Sequence, residues 1–433
     1  MQNELEDDPS IRGTRLLSDI YQRCNIAFYE SAGYEEALKD SKWKKAMEEE
    51  LSMIQKNNTW TLVDRPEGRK VIGVKWIYRT KLNADTSINK HKARLVVKGY
   101  AQIFGVDYSD TFALVARLDT IRLLLAILAQ KGWKVFQLDV KSAFLNGVLQ
   151  EEIYVEQPDG FLIQGAKDKV FLLQKALYGL KQAPRAWYSW IDEHLLNLGF
   201  VKSLSEATLY VKLKDNDVLI MSLHVDDLLV TGSNELLVEE FKQEMMNVFE
   251  MTDLGLMTYF LGMEVKQSQN EVFICQKKYA KEILKKFQME ECKATSTPMN
   301  QKEKLSKNDG ADKIDEGYFR SMIGCLMYLT TTKPDILFAI SLLSRFMHGA
   351  NELHLRAAKR ILRYVKGTVS YGVKFEKCQS FKLYGFSDSD WAGSLDDMRS
   401  TSGYCFNLGS GVFSWCSKKQ EIVAQNLLQP HQQ

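Results

Sequence analysis

Two adjacent carboxylates interrupt a long apolar stretch and are the first candidates for chemistry. Asp226 and Asp227 lie within residues 218–232, with β-favouring apolar residues on both sides. This pattern predicts a hairpin with the aspartates at its turn. Two carboxylates about 4 Å apart repel each other by roughly 4 kcal/mol at an effective dielectric near 20, so a buried pair needs a basic or metal partner. A lone Asp-Asp pair is more often a solvated turn.

A third carboxylate, Asp139, is predicted near the end of an apolar strand at residues 133–140. Phe144 follows it by five positions. Gly179, where the backbone can approach a neighbour closely, lies between this region and the aspartate pair. A strand-end aspartate, an aromatic residue, a glycine loop and an Asp-Asp hairpin follow one another in the order typical of a polymerase palm.

The chemistry of such a site explains why carboxylates occur at these three positions. Nucleotidyl transfer uses two divalent cations about 3.5–4 Å apart, one on the attacking hydroxyl and one on the leaving phosphate. Mg²⁺ prefers hard oxygen ligands such as carboxylates and keeps several waters. We therefore expect Asp139, Asp226 and Asp227 to be catalytic and to bind two Mg²⁺ or Mn²⁺ ions, whose charge would offset the repulsion within the pair.

A basic strand is the second candidate for a functional surface. Lys92, Arg94 and Lys98 alternate with apolar residues in the strand predicted at residues 91–100, so they should share one face. A one-sided basic strand is suited to binding phosphates. The alternative is an ordinary solvated strand face.

Helical and strand periodicity predicts the elements that position these residues. Asp119 or Thr120 is expected to cap the helix at 120–130, and Leu237, Phe241 and Val248 to face inward from the helix at 234–249. Helices are predicted at residues 34–58, 120–130, 185–198, 234–249, 277–286, 318–330, 334–346 and 353–366, and strands at 71–78, 91–100, 133–140, 381–386, 401–408 and 411–417.

Composition limits the class of protein. The 433 residues suggest two or three domains, and a net charge of +2 means that any nucleic-acid surface must be a local patch. The seven cysteines include no Cys-x-x-Cys pair, which argues against a zinc site and favours a reducing compartment. The acidic N-terminus is unlike a signal peptide, and no apolar stretch is long enough to span a membrane. We expect a cytoplasmic location, in the context of a virus-like particle, or a nuclear one, without secretion or a membrane partner.

The chain resembles the reverse transcriptase region of copia-type LTR retrotransposon polyproteins. Seven stretches between about residues 35 and 300 carry the resemblance: Lys75-Trp-Ile-Tyr-Arg-Thr-Lys, Lys92-Ala-Arg-Leu-Val-Val-Lys-Gly-Tyr-Ala-Gln, Gln137-Leu-Asp-Val-Lys-Ser-Ala-Phe-Leu-Asn-Gly, Ile153-Tyr-Val-Glu-Gln-Pro, Leu177-Tyr-Gly-Leu-Lys-Gln-Ala-Pro-Arg-Ala-Trp-Tyr, Val225-Asp-Asp, and Asp253-Leu-Gly with Tyr259-Phe-Leu-Gly. The C-terminal part is similar to the start of the family's ribonuclease H domain, through Ser387-Asp-Ser-Asp-Trp-Ala-Gly, Arg399-Ser-Thr-Ser-Gly-Tyr and Ser414-Trp-Cys-Ser-Lys-Lys-Gln.

The resemblance implies an α+β chain with the fingers–palm–thumb fold, a helical connection and an incomplete ribonuclease H-like sheet. It implies RNA-directed DNA polymerase activity on an RNA or DNA template with a primer and dNTP substrates, and possible association with other retrotransposon polyprotein products. Lys92 and Arg94 would grip the incoming triphosphate, Phe144 would block a 2′-hydroxyl, and Gly179 would pack under the templating pair. Asp388 would be a ribonuclease H remnant.

Several residues depart from the family pattern. His224 stands where the family usually has Tyr, and an unperturbed histidine would make activity mildly sensitive to pH between about 6 and 8. Leu114 replaces a customary Pro. Residues 426–433 contain no acid where the family supplies a catalytic Glu, so ribonuclease H activity is expected to be absent. Phe413 and Trp415 are expected to be exposed on that incomplete sheet.

These features predict four segments: an N-terminal extension at 1–34, a reverse transcriptase at 35–300, thumb and connection helices at 301–380, and a truncated ribonuclease H-like part at 381–433. The predicted function is two-metal extension of a primer with dNTPs. The alternatives are a decayed, catalytically inert retroelement fragment and a non-catalytic nucleic-acid-binding protein.

Overall fold

The computed structural model describes residues 33–82, 88–300, 304–307 and 309–423. Nearly all of the predicted N-terminal extension, and the residues after 423, lie outside these ranges. The described chain is mixed α/β and divides into two compact units. The first unit contains the described residues up to Ile121 together with Lys134–Met257, and the second contains Arg122–Trp133 and the described residues from Thr258 onward.

The first unit carries all the candidate polymerase residues. Its helices are α1 (Tyr34–Lys39), α2 (Ser41–Lys56), α4 (Ala183–Asn197) and α5 (Glu235–Val248), and α3 (Leu118–Lys131) begins in it. Its strands are β1 (Trp60–Val63), β2 (Val71–Ile72), β3 (Val74–Leu82), β4 (Ile88–Val97), β5 (Val135–Val140), β6 (Val148–Val155), β7 (Val170–Lys175), β8 (Val201–Lys202), β9 (Leu209–Lys214), β10 (Asp217–His224), β11 (Asp227–Gly232) and β12 (Met251–Leu256).

A six-stranded antiparallel sheet forms the centre of this unit, in the order β12-β5-β11-β10-β9-β8. Its core contains Trp187 and Ile191 from α4 and Leu237 and Phe241 from α5. Burial of Leu237 and Phe241 confirms their predicted inward orientation. Val248 was predicted to face inward and is instead 47% exposed, because it ends the helix while the next residue turns into the core.

Two smaller sheets complete the first unit. Strands β1, β7, β6 and β2 pair in that order, and β3 and β4 form a separate antiparallel hairpin. Helix α2 packs its apolar face, including the buried Trp43, Met47 and Ile54, into the cores beside these strands. The helix predicted at 34–58 is interrupted at Asp40, whose carboxylate accepts the backbone N–H of Lys42 and caps α2.

The second unit combines a helical core with two sheets. Its further helices are α6 (Lys277–Lys286), α7 (Glu316–Leu329), α8 (Leu337–Leu343) and α9 (Glu352–Gly367). Its strands are β13 (Tyr259–Phe260), β14 (Met263–Ser268), β15 (Glu271–Cys275), β16 (Gly372–Glu376), β17 (Leu383–Ser389), β18 (Thr401–Leu408) and β19 (Gly411–Lys419). Strands β13 to β16 form one antiparallel sheet and β17 to β19 another.

Two further local predictions are wrong. Helix α3 begins at Leu118, so Asp119 and Thr120 lie in its first turn rather than at its cap, and the Thr120 hydroxyl donates to Glu206. The predicted strand at 91–100 ends at Val97, so Lys98 lies beyond β4.

Phe413 and Trp415 are partly buried rather than exposed. The guanidinium of Arg122 lies 3.8 Å from the Trp415 ring centroid, and the Trp415 indole N–H donates to the Thr330 carbonyl at 3.2 Å. Exposed aromatic side chains of this sheet lie instead on β17, at Tyr384 and Phe386, and on β18, at Tyr404 and Phe406.

Six of the seven cysteines fall in the described part of the chain, and all six are free thiols. Cys24 lies outside it. Within the described ranges, no helix has both the length and the apolar character needed to cross a membrane.

Candidate active site

The aspartate pair lies at the tight turn between β10 and β11, as the sequence predicted. His224 and Asp227 face each other as the last pair of the antiparallel ladder, so Val225 and Asp226 form the two-residue turn. Val225 has φ of +59°, in the left-handed region. The Asp226 carbonyl accepts the backbone N–H of Val140 at 2.8 Å, which ties the turn to the end of β5.

Asp139 is brought to the aspartate pair by sheet register. It lies directly opposite Asp227 in the antiparallel pairing of β5 and β11. Opposed residues of such a pair have Cβ atoms about 4.5–5.5 Å apart and point to the same face. Strand pairing therefore brings the backbone of Asp139 next to the backbone of Asp226 and Asp227.

The side chains at this edge are held by neighbouring polar groups. Gln137 lies two residues before Asp139 on the same face of β5, and its amide donates a 2.9 Å hydrogen bond to Asp227 Oδ1. Within the described residues, no three His, Cys, Asp or Glu side chains converge as a ready-made metal site. Gln137 was not predicted, although it begins one of the motifs that carry the family resemblance.

Phe144 lies close to the loop that contains Gly179. It belongs to a short 3₁₀ helix, Ala143–Asn146, which begins after Ser142 in a left-handed conformation. Its ring centroid is 5.1 Å from that of Tyr178. Tyr178 was not predicted as a site residue, although it lies inside the motif that begins at Leu177.

Gly179 allows its loop to lie against the end of β4. Its φ is +92°, and a Cβ atom there would fall 2.2 Å from the Val97 carbonyl oxygen. The Tyr178 carbonyl accepts the Val97 N–H at 2.7 Å. Only glycine combines this backbone conformation with this close approach.

Arg94 extends the same cluster from β4. Its guanidinium lies 4.2 Å from the Tyr178 ring centroid, a cation–π contact. Burial raises the pKa of Tyr178 to about 12, while the nearby Arg94 charge acts in the opposite direction. The structure therefore brings Arg94, Tyr178 and Phe144 into one group. Lys92 lies on the same face of β4, two residues before Arg94.

A buried acid on α2 faces the basic strand and was missed from the sequence. Glu50 is 6% exposed and accepts the Leu95 N–H at 3.3 Å. Burial raises the pKa of Glu50, and the charges of Arg94 and Lys92 oppose that shift. Its position within the apolar face of α2 was the available signal, since charged residues are rarely buried without a partner.

His224 is buried rather than free to titrate in its ordinary range. Desolvation lowers its pKa, and the Asp226 charge opposes that shift. The pH sensitivity predicted between about 6 and 8 rested on an unperturbed histidine. That assumption is wrong, because protonation of a buried imidazole is displaced toward lower pH.

Asp388 belongs to the second unit and lies on the exposed strand β17. It faces Gly403 across the β17–β18 pairing, and its Oδ1 accepts the Ser389 N–H at 2.9 Å. The neighbouring Asp390 uses its Oδ1 to accept the Thr401 N–H at 2.7 Å. Both carboxylates therefore cap backbone groups at one end of this sheet.

Comparison with known proteins identifies the class. The family described as reverse transcriptase (RNA-dependent DNA polymerase) matches residues 57–301. The Retrovirus-related Pol polyprotein from transposon RE1 of Arabidopsis thaliana is 41% identical over 392 residues, which cover 90% of this chain and 27% of that protein. The corresponding polyprotein from transposon TNT 1-94 of Nicotiana tabacum is 38% identical over 88% of this chain and 29% of its own length.

A shorter relative supports the same assignment. The Ty5-1 protein YCL074W of Saccharomyces cerevisiae is 33% identical over 66% of this chain and 94% of its own length. The chain belongs to the reverse transcriptase family. Its relatives identify it more particularly as the reverse transcriptase domain of a copia-type Pol polyprotein. It spans about a quarter of the length of the two plant polyproteins.

Proposed function

We propose that this chain is an active RNA-directed DNA polymerase that extends a primer with dNTPs on an RNA or DNA template. The observation that carries the proposal is the register of β5 and β11, which sets Asp139 opposite Asp227 with Asp226 beside them in the turn. Attack of a primer 3′-hydroxyl on the α-phosphorus of a dNTP, with release of pyrophosphate, needs divalent cations held at such a point, and carboxylates are suited to hold them.

The residues present fit a pair of Mg²⁺ or Mn²⁺ ions by the chemistry of their donors. Asp139, Asp226 and Asp227 offer hard carboxylate oxygens from adjacent backbone positions, although their side chains do not already converge as a three-residue cluster. When bound, such ions lower the charge barrier to attack by the hydroxyl and to departure of pyrophosphate. In this proposal the aspartates hold the ions, and Gln137 orients Asp227.

The nucleotide would lie between the aspartates and β4. Arg94 and Lys92 supply positive charge for a triphosphate, and Phe144 would occupy the space of a 2′-hydroxyl. Gly179 would keep its loop tightly packed beneath the templating base pair. The family resemblance supports these roles, and so does the packing of Arg94, Tyr178 and Phe144. The resemblance alone supports a reverse transcriptase with fingers and palm up to about residue 300, thumb and connection helices up to about 380, and a ribonuclease H-like part after them.

Primer extension on an RNA template with Mg²⁺ or Mn²⁺ tests the proposal. Asp226→Asn should abolish extension while leaving the melting temperature unchanged, because the amide removes charge and keeps shape. Asp215→Asn makes the same charge change at the exposed turn at the other end of β10 and serves as the matched control. Full activity of Asp226→Asn would refute the metal site. Salt-sensitive template binding without any extension by wild type would instead indicate a non-catalytic nucleic-acid-binding protein.

We also propose that this 433-residue chain does not cleave RNA in an RNA–DNA hybrid. Supporting this, the Asp388 carboxylate accepts the Ser389 N–H and the Asp390 carboxylate accepts the Thr401 N–H, so both already bind backbone groups. Release of labelled RNA from a hybrid, with Asp388→Asn as the control, tests it. Cleavage that depends on Asp388 would show that other carboxylates complete the site.

Two further proposals concern the setting of the protein. Similarity to Pol polyproteins supports association with other products of a retrotransposon polyprotein. A cytoplasmic or nuclear location suits an enzyme that copies RNA into DNA. Co-purification with co-expressed polyprotein products and fractionation of expressing cells test these two proposals.

A further inference from the structure

The turn that carries Asp226 adopts a conformation that its sequence disfavours. Val225 has φ of +59°, although a β-branched side chain rarely occupies the left-handed region. Glycine or asparagine would be the ordinary residue at such a position. Contacts from outside the turn must therefore hold Val225 in this conformation.

Two such contacts hold consecutive carbonyl groups of the turn. The indole N–H of Trp187 donates to the Val225 carbonyl at 2.6 Å, and the Val140 N–H donates to the Asp226 carbonyl at 2.8 Å. The second bond comes from the residue that follows Asp139. The turn is thus fixed from the strand on one side and from a side chain of α4 on the other.

Trp187 is itself rigidly placed. It is 1% exposed, and its ring meets Phe249 edge-on with centroids 5.4 Å apart. Gly147, just after the Phe144 segment, lets α4 come close, since a Cβ there would fall 2.6 Å from the Trp187 backbone nitrogen. The indole N–H therefore approaches the turn from a fixed position.

We propose that Trp187 is a positioning residue for the aspartate turn, an inference that rests on the proposed polymerase function. By holding the Val225 carbonyl, its indole N–H sets where the carboxylates of Asp226 and Asp227 stand. In this role it acts through the Val225 carbonyl and would contact neither the nucleotide nor a cation. Its loss should weaken cation binding and slow turnover while leaving dNTP affinity nearly unchanged.

Trp187→Phe removes the N–H and keeps an aromatic ring. Trp190→Phe makes the same change on the same helix at a side chain that is 38% exposed, and it is the matched control. For Trp187→Phe we expect kcat to fall roughly 3- to 10-fold, the scale of one lost hydrogen bond. The KM for dNTP should stay within about twofold, and Mn²⁺ binding followed by electron paramagnetic resonance should weaken in parallel with kcat.

A rescue variant separates positioning from packing. Asparagine tolerates positive φ, so Val225→Asn in the Trp187→Phe background should restore much of the lost Mn²⁺ affinity and kcat. If Trp187→Phe is too unstable to assay alone, the double variant is compared with wild type instead. Mn²⁺ affinity and kcat close to the wild-type values then support the positioning role. Unchanged Mn²⁺ binding in Trp187→Phe, or no recovery in the double variant, would overturn the inference.

The metal-binding measurement does not depend on polymerisation. If wild type fails to extend any primer yet binds Mn²⁺ more tightly than Trp187→Phe, the proposed function fails and the positioning role stands. If wild type extends primers and both proteins bind Mn²⁺ equally, only the positioning role fails.

Discussion

The side-chain amide of Gln137 donates a 2.9 Å hydrogen bond to Asp227 Oδ1 across the β5–β11 ladder. Gln137 is 8% exposed, and it shares a face of β5 with Asp139. A buried amide donor fixes one carboxylate oxygen without adding charge. This arrangement orients Asp227 while leaving the net negative charge of the site intact for cations.

Gln137→Leu should lower primer extension roughly 10- to 100-fold, because a hydrogen bond to a charged group contributes about 1.5–3 kcal/mol. Gln137→Glu should be worse, since it adds a negative charge beside Asp227 and Asp139. Steady-state extension rates over a Mg²⁺ series measure both. Wild-type rates in Gln137→Leu would show that Asp227 needs no orienting donor.

Phe144→Ala should raise the use of ribonucleotides relative to deoxynucleotides, because it opens the space beside the sugar that a 2′-hydroxyl needs. The loss of its contact with Tyr178 should also cost about 1–3 kcal/mol of stability, less than for a fully buried phenylalanine. Phe144→Tyr keeps the ring and should keep the discrimination. The ratio of the kcat/KM values for rNTP and dNTP measures this discrimination. An unchanged ratio in Phe144→Ala would mean that other residues exclude the 2′-hydroxyl.

Gly179→Ala should destabilise the protein by more than the cost of placing alanine at a positive φ. Gly165→Ala is the matched control, since Gly165 has φ of +81° and open space around its Cβ position. That control should cost about 1–2 kcal/mol. Gly179→Ala should cost about 1–3 kcal/mol more than that through overlap with Val97. Unfolding in urea measures both, and equal losses would mean that the loop moves away from β4 easily.

Stability should decline as pH falls below about 6.5, and the buried His354 should contribute to this decline beside His224. This side chain is fully buried, its Nδ1 accepts the Asn351 N–H at 3.2 Å, and it stacks on Phe346 with ring centroids 3.9 Å apart. Burial lowers its pKa, an effect that the charge of Asp309 opposes. The unfolded chain therefore binds the proton more readily than the folded chain does. As the pH is lowered, the free energy of unfolding decreases by up to about 1.4 kcal/mol per pH unit.

His354→Gln should make this pH dependence less steep, because glutamine can keep the reciprocal cap with Asn351 and does not titrate. His348→Gln, at an exposed position, is the control and should leave the slope unchanged. Urea unfolding between pH 5 and 7.5 measures the slopes. If wild type and His354→Gln show equal slopes, other groups cause the acid sensitivity.

The sequence alone determined the elements whose signals are local. Apolar runs on both sides of Asp226 and Asp227 predicted the hairpin, and the structure confirms it. The helix at Lys277–Lys286 was also predicted with its observed bounds, because its apolar positions recur at helical spacing. The chain order of Asp139, Phe144, Gly179 and the Asp226-Asp227 hairpin made the three aspartates candidates, and the family motifs supported them. Strands with mixed polarity, such as β6, were not predicted, since Glu151 and Glu152 hide the alternation.

Only the tertiary structure decided which distant side chains meet. Gln137 and Asp227 are 90 positions apart, and Trp187 and Val225 are 38 apart. Such contacts depend on strand register and on how closely a helix packs against a sheet, and a one-residue slip in register would send every side chain to the other face. Local propensity can place Val225 in a turn, but it cannot supply the Trp187 hydrogen bond that holds that turn in a left-handed conformation.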